Sequence, residues 1–193
     1  MSKLTAADLM SLEQYARERQ TFRARVMAHK KSRQLALGEH ATLYFEDALT
    51  MQYQVQEMLR IERIFEAKGI QEELDVYNPL IPDGSNWKAT FMVEYDDEKE
   101  RKQMLAKLIG VDKAVWMQVE GFDKVRPICN EDLERETEDK TSSVHFMRFE
   151  LSPEMVAAAK AGKPLHAGID HTEYRVECTI PEAIRQSLIN DLA

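Results

Sequence analysis

Two glutamates one helical turn apart, Glu62 and Glu66, have the spacing that most suggests chemistry in this sequence. They lie in the segment 48–67, where apolar residues recur at helical intervals and predict one amphipathic helix. Glu62 falls near the middle of the apolar face and Glu66 at its edge. The other residues on that face are Met51, Val55, Met58, Leu59, Ile61 and Phe65. A carboxylate within such a face must be paired, ligate a metal ion or take up a proton.

The Glu62 carboxylate therefore has two interpretations. In the first, it forms an ion pair with an arginine, either Arg60 or Arg63 on a neighbouring turn or one from another helix, and Arg60 thereby counts as a binding residue. In the second, Glu62 and Glu66 ligate a metal ion, as paired carboxylates do in di-iron helical bundles. Those bundles use Glu-x-x-His motifs, which this sequence lacks, so the ion pair is favoured.

His145 is the histidine best placed to join a metal site. It lies in the segment 144–151, whose alternation of apolar and polar residues predicts a strand, and it shares a face with Met147 and Phe149. With Glu62 and Glu66 it would form a mixed site for a single transition-metal ion such as iron, manganese or zinc. No other cofactor is predicted. The alternative is a hydrogen-bonded histidine in the core or at the surface.

The loop after the long predicted helix is a candidate ligand-binding site. Residues 75–84 are rich in Asn, Pro, Asp and Gly, which end helices and form turns. Tyr77, Asn78 and nearby Trp87 could line a small-molecule pocket there, because ordered loops often carry binding sites. In the alternative interpretation, Pro79 and Asn78 only stop the helix.

Charge is unevenly distributed along the chain. Segment 17–33 has seven Lys and Arg residues and one Glu, so 7 − 1 = +6, whereas the chain has 26 Lys and Arg against 34 Asp and Glu, a net charge of −8. The basic segment could dock an acidic partner. Nucleic acid is not favoured, because only Phe22 lies among these cations. The acidic segment 131–139 is an internal counterpart, and the two could also meet between subunits of a homodimer.

Composition and missing motifs exclude several function classes. An apolar fraction of 44% is enough for one sizeable core, and no run of 18 apolar residues predicts a membrane span. Two cysteines, Cys129 and Cys178, are too few for a disulfide framework or for an iron–sulfur cluster held by one chain. The composition and the start of the chain predict a cytoplasmic location. Glycine-rich phosphate loops, Gly-x-Ser-x-Gly and His-Glu-x-x-His do not occur in the sequence.

The elements that would position these residues predict an α+β fold. Residues 33–46 have the pattern of a β-hairpin, and strands are predicted over 89–95, 114–119, 125–129, 144–151, 165–169 and 175–179. Helices are predicted within the first 32 residues, over 48–67, 70–76, 97–109 and 131–139, and after Pro153 and Pro181. We expect a single domain over 1–193. Its helical part, to about residue 80, would pack on a mixed, mostly antiparallel sheet formed by the hairpin and residues 85–193.

Three segments carry a resemblance to a known family: GEHATLYFED at 38–47, QVQEMLRIE at 54–62 and EELDVYNPLIP at 72–82. They resemble a bacterial family of unknown function, and the resemblance covers the whole chain, with 38–95 the most specific block. Genes of that family often neighbour those for rubrerythrin and for an iron–sulfur protein of the heterodisulfide-reductase type. The resemblance thus implies a role near peroxide defence or electron transfer, but it assigns no catalytic residue.

Three functions are compatible with these features. We expect first an accessory protein without chemistry of its own, which binds a partner in a cytoplasmic redox or peroxide-stress system. The partner would be an iron–sulfur or rubrerythrin-type protein. The second is a metal-dependent enzyme or sensor using Glu62, Glu66 and His145. The third is a small-ligand binding module around Tyr77, Asn78 and Trp87.

Overall fold

The computed structural model describes residues 3–137 and 139–193 and shows the predicted α+β fold. Within these residues the helices are α1 (Leu12–Lys30), α2 (Ala48–Glu62), α3 (Ala67–Tyr77), α4 (Glu98–Lys107), α5 (Val111–Ala114), α6 (Pro153–Lys160) and α7 (Glu182–Ile189). The strands are β1 (Gln34–Ala36), β2 (Ala41–Phe45), β3 (Asn86–Val93), β4 (Val115–Val119), β5 (Ile128–Cys129), β6 (Val144–Glu150), β7 (Leu165–His171) and β8 (Tyr174–Thr179). A short 3-10 turn, Asn78–Leu80, extends α3.

Side-chain caps fix where the main helices begin. Ser11, Asp47, Asp97 and Ser152 each accept a hydrogen bond from the backbone N–H three residues further on. These short polar side chains satisfy donors that the first helical turn leaves without a partner. Asp47, Asp97 and Ser152 precede α2, α4 and α6, and these three helices begin close to their predicted positions, whereas α1 begins only at Leu12.

The prediction of one helix over 48–67 was wrong. Helix α2 ends at Glu62, because Arg63 adopts the left-handed conformation at φ 56° and turns the chain away. A second helix, α3, then begins at Ala67 with Glu66 as its N-cap residue. The break separates the two glutamates that the sequence places on one continuous face.

The strands form two antiparallel sheets, so the predicted, mostly antiparallel pairing is confirmed, although it is divided between two sheets and not found in one. The first has the order β1–β2–β3–β6–β5 and contains the predicted hairpin; the second has the order β4–β7–β8. Buried residues alternate with half-buried ones along β3 and β6. The buried residues share a core cluster with inward-facing residues of the second sheet. The other, outer face of the first sheet carries Tyr44, Thr90, Phe146 and Arg148, and the N-terminal helices lie against the sheet.

A buried arginine joins the N-terminal hairpin to the last helix. The Arg33 guanidinium contacts the Asp191 carboxylate at 2.6 and 3.2 Å and donates to the Phe45 carbonyl at 3.0 Å. Arg33 and Asp191 are both buried, where a fork of charge-assisted bonds satisfies groups that water cannot reach. No helix in the described part of the chain is long and apolar enough to cross a membrane.

The acidic segment 131–139 does not form the predicted helix. Its described residues, 131–137 and 139, form an irregular connection between β5 and β6. Side-chain pairs shape this connection: Arg135 contacts Asp132 and lies over the Phe146 ring, 4.6 Å from its centre. The connection therefore stands next to the outer face of the first sheet.

Candidate functional site

Glu62 and Glu66 do not lie on a buried apolar face. Both are exposed in the structure. The two apolar residues that were to flank them, Ile61 and Phe65, are 61% and 75% exposed. The prediction of a glutamate within a buried stripe was wrong, because the break at Arg63 turns this end of α2 towards solvent.

On α2, the carboxylate that pairs with an arginine through two parallel hydrogen bonds is that of Glu57, on a different face of the helix from Glu62. It accepts hydrogen bonds from Arg19 at 2.7 and 2.9 Å, from the Tyr15 hydroxyl at 2.6 Å and from Arg60 at 3.2 Å. The hydrogen bond from Arg19 is the main cause that lowers the pKa of Glu57 to about 2. Arg60 thus pairs with Glu57, three residues before it, and the ion pair expected between Arg60 and Glu62 is absent among the described residues. Tyr15 and Arg19 are four residues apart and therefore lie on the same face of α1. This spacing is the sequence feature that could have predicted their shared contact with α2.

His145 is fully buried within a hydrogen-bond network. Its Nε2 lies 2.9 Å from the Ser142 carbonyl oxygen and 3.1 Å from the Thr141 hydroxyl, and its Nδ1 lies 3.7 Å from an Asp112 carboxylate oxygen. A hydroxyl, a histidine and an aspartate in this order resemble a catalytic triad. Thr141 is only 1% exposed, however, so its hydroxyl has no access to a substrate.

The amide of Asn130 fixes the tautomer of His145. The Asn130 Oδ1 accepts from the Phe146 backbone N–H at 3.1 Å, so its Nδ2 is the atom that faces the His145 Nδ1 at 3.1 Å. The Nδ1 therefore accepts, and the Nε2 carries the proton and donates to the Ser142 carbonyl. A nitrogen that already holds a proton cannot take one from Thr141. Burial lowers the pKa of His145, although Asp112 opposes the shift, and this direction favours the neutral ring.

The structure does not bring the predicted metal ligands together. Glu62 and Glu66 are exposed on the α2–α3 corner, whereas both ring nitrogens of His145 are engaged within the network around β6. Among the described residues, no group of three or more His, Cys, Asp or Glu side chains is arranged to hold a metal ion. The prediction of a site formed by these three residues is therefore corrected: their geometry does not converge.

The two cysteines lack the surroundings that activate a thiol. Burial, with a contribution from Asp112, raises the pKa of Cys129 to about 12, and burial raises the pKa of Cys178. The reactive form of a cysteine is the thiolate, which neither environment favours.

The three residues of the predicted ligand loop have three different positions. Trp87 is fully buried in the core, where its indole N–H donates to the Leu188 carbonyl at 2.9 Å. Asn78 uses its whole amide to hold the N-terminal segment, accepting from the Leu4 N–H at 2.8 Å and donating to the Leu4 carbonyl at 2.9 Å. Tyr77 alone lines a cleft.

This cleft, of about 500 Å³, lies between the end of α3 and the outer face of the first sheet. Helix α3 and the 3-10 turn form one wall, β3 and β6 form the floor, and the connection 131–135 forms the opposite wall. Apolar and aromatic side chains line its interior, and three cations and three carboxylates stand around it: Lys88, Arg135, Arg148, Asp75, Glu131 and Asp132. Phe146 and Arg148 come from β6, far from Tyr77 in the sequence.

A second hollow, of about 470 Å³, continues along the same sheet face and shares Tyr77, Leu80 and Phe146 with the cleft. Glu46 lies at its edge as a buried carboxylate that accepts from the hydroxyls of Thr50 at 2.6 Å and Thr90 at 2.8 Å. The two hydroxyls hold this carboxylate in place, and no cationic group among the described residues lies within 4.0 Å of it.

The exposed surface of α1 and its C-cap is the second candidate site. Of the seven cations in 17–33, Arg19 pairs with Glu57, and Arg33 pairs with Asp191. The other five have no carboxylate within 4.0 Å among the described residues; they are Arg17, Arg23, Arg25, Lys30 and Lys31. We call these five residues the basic surface.

The acidic segment does not neutralise the basic surface within the chain. Glu131 pairs with Arg148, Asp132 pairs with Arg135, and Glu136 contacts Lys113 at 3.8 Å. The prediction that this segment is the internal counterpart of the basic helix was wrong for these residues. Glu138, which belongs to the predicted acidic segment, lies outside the described residues.

Comparison with known proteins places the chain in a family. No curated protein matches it significantly. It is similar to a crystal structure of a novel protein of unknown function from Burkholderia pseudomallei, with 48% identity over 100% of both chains and a TM-score of 0.94. The family described as "Protein of unknown function (DUF3501)" matches residues 3–192. The expected resemblance to a family of unknown function is confirmed, whereas its gene neighbourhood stays a prediction. The chain belongs to the DUF3501 family.

Proposed function

We propose that this protein is an accessory protein that docks an acidic protein partner through the basic surface of α1. The observation that supports the proposal is the set of five cations without a carboxylate within 4.0 Å among the described residues. The chain as a whole has a net charge of −8, so a group of five unneutralised cations along one helix has the opposite sign to the rest of the protein. Opposite charge on a partner would steer the two proteins together and fix their orientation.

The side chains of the basic surface suit a protein partner better than a nucleic acid. The Arg25 guanidinium lies 5.0 Å from the centre of the Phe22 ring, and the Lys30 ammonium lies 5.9 Å from that of Tyr53. These aromatic rings are thereby covered by the protein's own cations and are not free for base stacking. Guanidinium groups also pair well with carboxylates, because the planar fork matches both oxygens.

The identity of the partner is the finer part of the proposal. The family resemblance implies an iron–sulfur or rubrerythrin-type protein, which would place this chain in a redox or peroxide-stress system of the cytoplasm. The two described cysteines do not favour an iron–sulfur cluster in this chain, because they are separated and the pKa values of their thiols are raised. Any cluster would belong to the partner.

Capture from the native host with matched charge variants tests the docking. The test variant combines Arg17→Gln, Arg23→Gln and Lys31→Gln on the basic surface. The control combines Lys99→Gln, Lys102→Gln and Lys107→Gln on α4, three exposed lysines without a carboxylate within 4.0 Å among the described residues. Both variants lose three positive charges, so a difference between them reports position and not net charge.

We expect the wild type and the α4 variant to capture one iron–sulfur or rubrerythrin-type protein after crosslinking, and the α1 variant to lose it. Capture should also weaken as salt rises, because ions screen exposed charges beyond about 10 Å at 0.1 M. Equal capture by both variants contradicts docking through α1. Capture of a second copy of this chain, with a dimer in light scattering, replaces the proposal with a homodimer.

A further inference from the structure

We propose that the cleft beside Tyr77 binds a small amphiphilic monoanion, a carboxylate on an aromatic or branched hydrocarbon body, whose charge Lys88 holds. This proposal stands apart from docking through α1, since none of the five residues of the basic surface lines the cleft. It also revises the predicted ligand loop, from which only Tyr77 lines the cleft.

The interior of the cleft calls for an apolar body. Its apolar lining consists of Val76, Tyr77, Pro79, Leu80, Phe146 and Met147. A volume of about 500 Å³ is in the range of sites for small organic molecules. A flat or branched hydrocarbon placed here would contact the Tyr77 and Phe146 rings and leave water.

Two of the three cations around the cleft are already neutralised. Arg148 contacts Glu131 at 2.8 Å and Glu150 at 2.6 Å. Arg135 contacts Asp132 at 2.5 Å with one nitrogen and at 2.6 Å with another. These pairs shape the wall and leave little charge to attract a ligand.

Lys88 differs from both arginines. Among the described residues it has no carboxylate within 4.0 Å, and its Nζ donates only to the Pro79 carbonyl at 2.6 Å. An ammonium group has three donors, so two are left for a ligand. Lys88 is half-buried, and this burial lowers its pKa, although the Asp83 and Glu131 carboxylates oppose the shift from a distance. A ligand carboxylate would supply the missing counter-charge.

The ion pairs among the charged side chains around the cleft also indicate the charge of the ligand. Within the described residues, Lys88 is the cleft's one cation without a carboxylate partner. The carboxylates of Glu131 and Asp132 hold their arginines, and the third carboxylate, Asp75, accepts a hydrogen bond from the Gln71 amide at 2.8 Å. A dianion would leave one charge without a partner beside these carboxylates. A neutral molecule of the same shape would leave the Lys88 donors unused.

Binding of two matched probes, 1-naphthylacetate and 1-naphthylacetamide, tests the proposal by isothermal titration calorimetry on the full chain. The probes share the naphthalene body and differ in the charge of the headgroup. We expect the acid to bind about tenfold more tightly than the amide, because hydrogen bonds to charged groups are the stronger ones. Equal binding of the two probes, or binding of neither, overturns the proposal.

Three variants locate the site. Lys88→Met keeps the unbranched stem and should remove the preference for the acid, whereas Lys102→Met on α4 should keep it. Val76→Trp adds bulk at a residue that lines the cleft and is 64% exposed, so it should weaken both probes without disturbing the core. A preference for the acid that survives Lys88→Met, or unchanged binding in Val76→Trp, contradicts the proposal. Circular dichroism checks that each variant is folded.

Discussion

Burial and hydrogen bonding decide which single residues can still react or bind a ligand. His145 and Cys129 are residue types that catalyse reactions, yet the first has both ring nitrogens engaged and the second has its pKa raised to about 12. Lys88 is a commoner residue type, but it is half-buried with two donors left over. The sequence shows only types and spacing, so it favoured the histidine.

The buried state of His145 predicts a pH dependence of stability. Burial lowers the pKa of the folded-state imidazole below its ordinary value of 6.5. As pH falls through 6.5, the unfolded chain takes up a proton that the folded protein does not, so the free energy of unfolding decreases. The contribution of His145 is present above pH 6.5 and is lost at lower pH, with a slope of at most about 1.4 kcal/mol per pH unit.

Urea unfolding between pH 7.5 and 5 measures this slope. We expect His145→Gln, which cannot titrate, to show a shallower loss of stability on acidification than the wild type, whatever its stability at pH 7.5. Gln103→Asn, at an exposed position on α4, leaves every titratable group in place and is the control, which should keep the wild-type slope. Identical slopes for His145→Gln and the wild type would show that this histidine does not carry the effect.

The elements show where sequence patterns suffice and where they fail. Alternation predicted the positions of β3 and β6 because each strand buries every second residue against the core. Periodicity predicted one helix over 48–67 because Ile61 and Phe65 continue the spacing of the buried residues before them. Nothing in that spacing encodes the left-handed conformation of Arg63, which turns both residues outward. A pattern of types thus locates elements better than it locates their ends.

The cleft shows the same limit for a site. Tyr77 was accessible to sequence reasoning because it stands at a helix end next to a proline-rich loop. Phe146 and Arg148 were not, because they reach the cleft only through the pairing of β3 with β6, in which Lys88 lies opposite Arg148. Lys88 was missed since a lysine on a predicted strand carries no signal of its surroundings.

The break between α2 and α3 predicts a stabilising substitution. Arg63 has φ 56°, in the left-handed region, where the backbone of residues other than glycine is strained. Arg63→Gly should raise the free energy of unfolding by about 0.5–1 kcal/mol, as glycine does at helix ends of this kind. Gln71→Gly, within α3 and exposed, should instead lower it by about 1 kcal/mol.

Thermal and urea unfolding of the two glycine variants distinguish these effects. Opposite signs are expected, because one glycine relieves strain and the other adds freedom to the unfolded chain. A destabilised Arg63→Gly variant would mean that the arginine side chain stabilises the corner by more than the backbone strain costs.

The whole molecule presents the two features proposed to bind, and they lie in different places. The basic surface lies along α1, and the cleft lies between α3, β3, β6 and the connection 131–135. The buried pair of Arg33 and Asp191 links the hairpin after α1 to the last helix. We therefore expect a scaffold that holds both features while leaving α1 accessible, which suits an accessory protein that docks a partner.

Site-specific photocrosslinking tests the docking claim most directly. A photoreactive amino acid replaces Ala24, an exposed residue on α1 among the cations of the basic surface, or Ala106, an exposed residue on α4. The account predicts a crosslink from position 24, and none from position 106, to one acidic iron–sulfur or rubrerythrin-type protein of the native host, and loss of that crosslink at high salt. No crosslink at position 24, or equal crosslinks at both positions, would contradict it.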